Sequence, residues 1–295
     1  MKFSQASEKG CSSMAKVLKG KEVVDALNEE LRGEIEKMSA KGVYPTLGIL
    51  RVGEKPDDMA YERGAMKRAE KVGVAVKNYI FPEDISEEEL LGKVEEINND
   101  SSVHGVLILR PLPKTINDEK IRNALAPEKD IDGITDKSSV GVYSGTDIGY
   151  PPCTAEACIE ILKHFGVETR GSNAVVIGRS LVIGKPVAMM LIKGNATVTT
   201  CHTKTVDMPS VCRGADILIA AAGQKQMVTK DYMNPDQVII DVGINVGDDG
   251  KLCGDVVSED AEACAKAYTP VPGGVGTVTT SFLMKHTVEA AKKTI

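Results

Sequence analysis

The stretch VVIGRSLVIGKP, residues 175–186, decides the architecture. An apolar run ends at Ile177. A turn then carries Gly178, Arg179 and Ser180, and Gly184 opens a helical pattern with Pro186 in its first turn. Free N–H groups and the positive end of a helix make such a turn a phosphate seat. The spacing is G-x-S-x-x-x-G rather than G-x-G-x-x-G, so the turn alone fits an ordinary strand–helix connection equally well. Its neighbourhood settles the reading. AVVI (174–177), TVTTC (197–201), DILIAA (216–221) and VIIDVG (238–243) read as strands, and helical patterns separate most of them. That alternation predicts a doubly wound, Rossmann-type domain with a dinucleotide at its first strand–helix turn.

The next strand ends in TVTTCHTKT, 197–205. An NAD site usually places Asp or Glu there for the ribose hydroxyl. Here Thr203 and Lys204 stand in that place, with Arg179 in the earlier turn. A cation-and-hydroxyl cluster suits a 2′-phosphate, which favours NADP, with NAD as the alternative. The plain reading of Lys204 is a solvated loop charge. His202 has no partner at metal-ligand spacing, so no metal is expected.

The N-terminal half alternates in the same way. Val24, Leu27, Leu31 and Met38 form one helical stripe, Pro45 opens the strand-like TLGILRVG, and AYERGAMKRAEKVGV (60–74) is helical. VAVKNYIF reads as a strand. Ser86 and Glu89 make a capping box before Leu90, Val94 and Ile97. VHGVLILRPLP is a buried strand stopped by prolines. Strands alternating with crossover helices predict a second parallel sheet. TDKSSVGVYSGTDIGYPP, within 134–153, is polar and Gly-containing and reads as an interdomain link. A helix follows it in TAEACIEILKHFG, and a last amphipathic helix from about Thr279 is placed to pack back on the first domain. The expected division is a disordered extension over 1–13, a first domain over 14–148 joined by helix 279–295, and the dinucleotide domain over 149–278.

Composition limits the partners. With 295 residues and 42% hydrophobic content the chain can build two cores. The net charge of −6 and the absence of Trp speak against nucleic acid. No apolar run is long enough for a membrane span, and the N-terminus lacks a signal-peptide core. Seven scattered cysteines without C-x-x-C fit reduced thiols in the cytoplasm.

Two further motifs bear on chemistry. In YTPVPGGVGT, 268–277, glycines and flanking prolines mark either a turn or a loop that a ligand approaches closely. PEKDIDGIT, 127–135, offers Asp130 and Asp132. Each reads as a loop carboxylate or cap, or as a cleft carboxylate able to grip an amino-pyrimidine edge through paired hydrogen bonds.

PPCT (151–154), VIGRSxxxGKP, IDVGIN (240–245), GDV (254–256) and PVPGGVG (270–276) together resemble the methylenetetrahydrofolate dehydrogenase/methenyltetrahydrofolate cyclohydrolase family, in its order and spacing and over nearly the whole chain from Met14. The resemblance implies an α/β protein of two domains. An N-terminal folate-binding domain and a C-terminal Rossmann domain flank a cleft, in a homodimer. It implies oxidation of 5,10-methylene- to 5,10-methenyltetrahydrofolate, then ring opening to 10-formyltetrahydrofolate, within the one-carbon metabolism that feeds purine biosynthesis. By motif, Tyr61 is expected to stack on the aminobenzoyl ring and Asp132 to hold the pterin. Ile108, Leu109, Arg110 and the loop Pro272, Gly273, Gly274, Val275 and Gly276 are expected to line the folate site. Gly178, Arg179, Ser180, Gly184, Thr203, Lys204, Gly223 and Ile244 are expected at the cofactor.

Two departures fall where the family places its acid–base pair. The family pattern Y-x-x-x-K sets its lysine four residues after the tyrosine, on the same helix face. Here that position is Ala65. Lys67 lies on another face, and Arg68 sits about 10 Å further along with a guanidinium that stays protonated. The family strand V-Q-L-P-L-P reads I-L-R-P-L-P, so Leu109 replaces the glutamine that supports the lysine, and Arg110 replaces the next residue. Ala155, Thr277 and Val278 are lesser departures. Hydride loss from the methylene carbon needs no proton removed at that carbon and rests on positioning. Hydrolysis of the methenyl group needs a positioned, tuned acid–base group, worth about 10²–10⁴-fold. The expectation is a dehydrogenase with weak or absent cyclohydrolase activity. Competing readings are a fully bifunctional enzyme, a 2-hydroxy-acid or shikimate-type dehydrogenase, and a ligand-binding protein without turnover.

Overall fold

The computed structural model describes residues 14–295, so the expected extension over 1–13 lies outside the described residues. Chain order begins with β1 (Lys16–Val17), α1 (Gly20–Ser39), β2 (Thr46–Val52), α2 (Pro56–Val72), β3 (Ala75–Phe81), α3 (Glu87–Asn99) and β4 (Gly105–Ile108). The short α4 (Asp118–Ala124), then α5 (Asp136–Ser144) and α6 (Cys153–His164), lead to the second series. That series runs β5 (Asn173–Ile177), α7 (Gly184–Lys193), β6 (Thr197–Cys201), α8 (Met208–Arg213), β7 (Ile217–Ala220) and β8 (Val238–Asp241). It closes with β9 (Asn245–Val246), β10 (Leu252–Cys253), α9 (Ser258–Cys264), β11 (Ala267–Tyr268) and α10 (Val275–Lys292).

The first sheet has the order β3-β2-β4, all parallel. Its central strand is buried on both faces, which is why TLGILRV is almost continuously apolar. Helix α3 begins at the capping box read from the sequence: the Glu89 N–H donates to Ser86 Oγ at 3.2 Å, and the Ser86 N–H donates to Glu89 Oε2 at 3.1 Å. A cap of this kind stabilises a helix by about 1 kcal/mol. The predicted stripe on α1 is buried at Val24, Leu27, Leu31 and Met38.

The second sheet has the order β1-β11-β8-β7-β5-β6, again parallel. The chain leaves β5 towards β6 and returns to β7 on the other side of β5, so the strand order reverses between β5 and β7. A crevice outside the carboxyl ends of the strands forms at such a reversal. The edge strand β1 comes from the start of the described chain, so Lys16 and Val17 pair with Ala267 and Tyr268 of the second sheet. In exchange, α10 packs its buried face against α1, α2, β2 and β4 as well as α6. One apolar cluster therefore runs from Leu47 and Ile49 of β2, through Leu31 of α1 and Leu283 of α10, to Val176 and Ile240 of the second sheet.

Two details go beyond the sequence expectations. The polar stretch within 134–153, read as an interdomain link, contains α5 and a tight return. Thr135 caps the helix by accepting the Ser138 N–H, and Gly145 ends it in the left-handed region at φ 69°. Ser138 Oγ in turn donates to the buried Asp130 carboxylate at 2.6 Å. The final helix starts at Val275 rather than near Thr279, so the glycine-rich run passes directly into it.

Candidate active site

The PEKDIDGIT loop separates its two acids by burial and partners. Asp130 is fully buried and accepts from Ile134 N at 2.9 Å, Thr135 N at 2.8 Å and Ser138 Oγ. It is the loop's internal brace. Asp132 faces a cavity of about 310 Å³ at the end of β4. Tyr61 of α2, together with Ile108, Leu109 and Arg110 after β4, lines the same cavity. The structure thus brings together the expected folate residues of the first domain. Burial pushes the Asp132 carboxyl up to about 6, aided by the neighbouring Asp130 carboxylate; Cys153, His286 and Arg110 act against this rise. Burial likewise raises the Tyr61 phenol, so it stays protonated. Tyr61 is 39% exposed and its ring is free to meet a flat ligand.

Ala65 is not at the cavity surface. It is fully buried in the core cluster beside Ala69 and Val72, on the inner face of α2. Leu109 bridges both places, lining the cavity while only 5% exposed. Arg63 and Lys67 point to solvent outside the cavity. Among the described residues that line it, Arg110 is the one cation, and its Nε donates to Asp118 Oδ1 at 2.6 Å while Nη2 meets Asp118 Oδ2. Sequence reading missed Asp57 and Asp58, which add acid at the start of α2. They lie just ahead of Tyr61, and the available signal was an acidic pair after Pro56.

The loop Pro272–Gly276, which the sequence groups with Tyr61, lines a different cavity of about 250 Å³, with Asp241 and Ile244. Behind it stand two buried carboxylates that the sequence reading left without a role. Asp241 accepts from Gly243 N at 2.9 Å and from Asp255 N and Val256 N at 3.0 Å. Asp255 accepts from Ala222 N at 2.7 Å, Gly223 N at 2.8 Å and Asn245 Nδ2 at 3.0 Å. Burial raises Asp241 to about 7 against those three backbone donors. Together they tie the loops after β7, β8 and β10 into one rim. An acid inside the apolar run VIIDVG was the available signal.

At the reversal of strand order, Gly178 adopts φ 123°, and a Cβ there would overlap the Ala221 carbonyl oxygen. A Cβ on Gly184 would in turn overlap the Gly178 carbonyl. Only glycines allow the turn and the helix to come this close. Gly184 is buried and so acts through packing. Ser180 Oγ accepts from Ile183 N at 3.1 Å, which fixes the entry to α7. Arg179, Thr203, Lys204, Gly223 and Ile244 are exposed around the crevice. His202 Nδ1 accepts the Lys204 N–H at 3.1 Å, a loop-shaping role. The close-packed glycine turn, the open helix start and the exposed cations fit a dinucleotide. Among the described residues, no group of three or more His, Cys, Asp or Glu side chains could hold a metal ion, and no helix is long and apolar enough to cross a membrane.

Residues 18–132 match the model of the tetrahydrofolate dehydrogenase/cyclohydrolase catalytic domain, and residues 152–295 match that of its NAD(P)-binding domain. The bifunctional protein FolD of Carboxydothermus hydrogenoformans is 48% identical over 281 residues, covering 95% of this chain and 98% of that protein. The crystal structure of the bifunctional FolD enzyme of Campylobacter jejuni superposes with a TM-score of 0.91 at 34% identity, covering 95% of this chain and 100% of the other. The Trypanosoma brucei methylenetetrahydrofolate dehydrogenase-cyclohydrolase, solved with NADP and an inhibitor, gives 0.87 at 33% identity, covering 95% and 98%. With both halves matched and identity sustained over nearly its full length, the chain belongs to the tetrahydrofolate dehydrogenase/cyclohydrolase family.

Proposed function

We propose that this protein oxidises 5,10-methylenetetrahydrofolate to the 5,10-methenyl form with NADP, and that it catalyses hydrolysis of the methenyl group weakly or not at all. Asp132 holds the amino-pyrimidine edge of the pterin, its ionised oxygens accepting paired N–H bonds. Tyr61 stacks on the aminobenzoyl ring. The wall from Ile108 to Arg110 fixes the depth of the ring system, and the loop Pro272–Gly276 closes the approach from the second domain. Gly178, Arg179 and Ser180 would seat the dinucleotide's phosphates, and Thr203 and Lys204 its 2′-phosphate. The dinucleotide, when bound, supplies the hydride acceptor. The protein's own task is to hold the donor carbon in line with it and keep water out. NADP rather than NAD is supported by the cation-and-hydroxyl cluster and by the NADP-bound relative from T. brucei.

One observation carries the loss of hydrolysis. The position of the family lysine is a buried alanine, and no amine lines the cavity among the described residues. Arg110 is tied to Asp118 and holds its protons too firmly to act as a base. The bifunctional alternative draws on the names of the relatives and on Asp132, whose carboxyl at about 6 could shuttle a proton near neutral pH. Paired assays decide: cofactor reduction with methylenetetrahydrofolate, then decay of methenyl absorbance with and without enzyme. Turnover in the first and a spontaneous rate in the second are expected. Enzyme-dependent decay well above the spontaneous rate would establish the alternative.

The same reading includes a homodimer. Val140, Tyr143 and Leu181 form an exposed apolar face around a cavity that Val142, Pro152 and Met189 also line, and sedimentation equilibrium of the wild type against Tyr143→Asp tests whether it is paired. The six described cysteines are free thiols, in keeping with a cytoplasmic setting.

A further inference from the structure

We propose that Glu156 and His286 form a positioning pair for Asp132, fixing the loop backbone from behind so that the carboxylate faces the folate. This rests on the reading of Asp132 as the pterin-holding group.

His286 lies on α10, fully buried. Its Nδ1 is 2.7 Å from the carbonyl oxygen of Ile131, the residue before Asp132, and its Nε2 is 2.6 Å from Glu156 Oε2 on α6. A carbonyl and a carboxylate oxygen can only accept, so the ring must donate from both nitrogens and is an imidazolium. The other Glu156 oxygen accepts from Lys285 Nζ at 2.5 Å. Cys153 Sγ also donates to the Ile131 carbonyl, at 3.3 Å. The Tyr150 ring lies 4.9 Å from the imidazole centroid and completes the enclosure. The backbone entering Asp132 is thus held from two helices at once. A buried ion pair adds little net stability compared with apolar packing. What it supplies at this point is orientation and a fixed positive charge behind the carboxylate.

The electrostatics agree with the geometry. Burial is the largest single influence and lowers the His286 pKa, but the Glu156 carboxylate, the Ile131 carbonyl and Glu289 together outweigh it and the net direction is upward. Burial would raise Glu156, and the His286 and Lys285 cations bring it down to about 2. The groups facing Asp132 are Asp130 from its own loop, Arg110 after β4, Cys153 from α6, His286 from α10 and Tyr61 from α2. Those facing His286 are Glu156 and Cys153 from α6, Lys285 and Glu289 from α10, and Tyr150. An imidazolium favours the ionised form of Asp132. Removing its charge must raise the pH at which Asp132 ionises, and with it the acid limb of folate binding.

The test measures KM and kcat for methylenetetrahydrofolate across pH in the wild-type protein and in the His286→Leu, His286→Asn, Glu156→Gln and Asp132→Asn variants. His286→Leu leaves the Ile131 carbonyl without its main donor and is expected to raise the folate KM about tenfold, with dinucleotide KM unchanged. His286→Asn keeps a donor near Nδ1 without the charge. It should recover most of the KM at high pH while its acid limb stays at higher pH than wild type. Glu156→Gln should move the limb the same way, and it carries the test if His286→Leu does not fold. Limbs unmoved in both His286→Asn and Glu156→Gln, while Asp132→Asn weakens folate as expected, would overturn the positioning role alone. Asp132→Asn without effect on folate KM would overturn the reading of Asp132 and this proposal with it.

Discussion

The two cavities differ in what substitution has left in them. Around the dinucleotide crevice the geometry is over-determined: Gly178 and Gly184 in mutual contact, Ser180 on the helix entry, and Asp241 and Asp255 tying three loops. Around Asp132 no amine lines the cavity among the described residues, and Ala65, the position read as the family lysine's, lies in the core. Positioning two partners is a property of shape, which tolerates loss of a single functional group. Moving protons is a property of one group with a tuned pKa, and its loss has no substitute in shape. On the proposed function, that contrast is what lets hydride transfer survive where hydrolysis does not.

That contrast can be probed from either side. Gly178→Ala forces a side chain into the left-handed region against the Ala221 carbonyl and should weaken dinucleotide binding by about 100-fold, read by fluorescence titration. Folate affinity should not change; a parallel loss would show that the cavities are not separable. Asp132→Asn exchanges an acceptor-only carboxylate for an amide and should raise the folate KM about 30-fold, with dinucleotide affinity intact. Wild-type folate KM should itself rise as pH falls below about 6, where Asp132 protonates. A flat profile there would remove Asp132 from the pterin contact. Ala65→Lys combined with Leu109→Gln should increase methenyl hydrolysis about tenfold or more, at some loss of Tm from burying an ammonium. No gain in a folded double variant would mean that the cavity has lost more than its amine. The smallest effect is expected for Lys204→Ala, about a threefold rise in KM for NADP and none for NAD. Equal effects on both dinucleotides would detach Lys204 from the 2′-phosphate.

Local rules carried the fold reading a long way. Strand runs, the Ser86–Glu89 capping box and the α1 stripe were legible because each is decided within a few residues. Helix α5 was not, because Ser and Gly dominate it and its hydrophobic stripe is weak. Its cap Thr135 and its brace from Asp130 act across the turn before it. The start of α10 was hidden by its glycines, which read as loop. In the site, Tyr61 and Asp132 were proposed by motif, the replacement at Ala65 by counting from Tyr61, and that at Leu109 from the strand pattern ending in Pro111–Pro113. Counting could not reveal that Ala65 is packed in the core and not among the cavity-lining residues, since that depends on how α2 rolls onto the core. Glu156 and His286 are 130 residues apart, and each looks like a stray polar residue on an apolar helix. Only the packing of α6 on α10 makes them partners.

The crossing of β1 and α10 bears on recombination between relatives. The first strand of the described chain completes the edge of the second sheet, while the last helix covers the first. A single crossover near residue 150 would give each hybrid one foreign sheet carrying the other parent's edge or cover. A functional chimera must therefore exchange three segments, the beginning, the middle and the end. Genes of this architecture should inherit their two cores together more readily than apart.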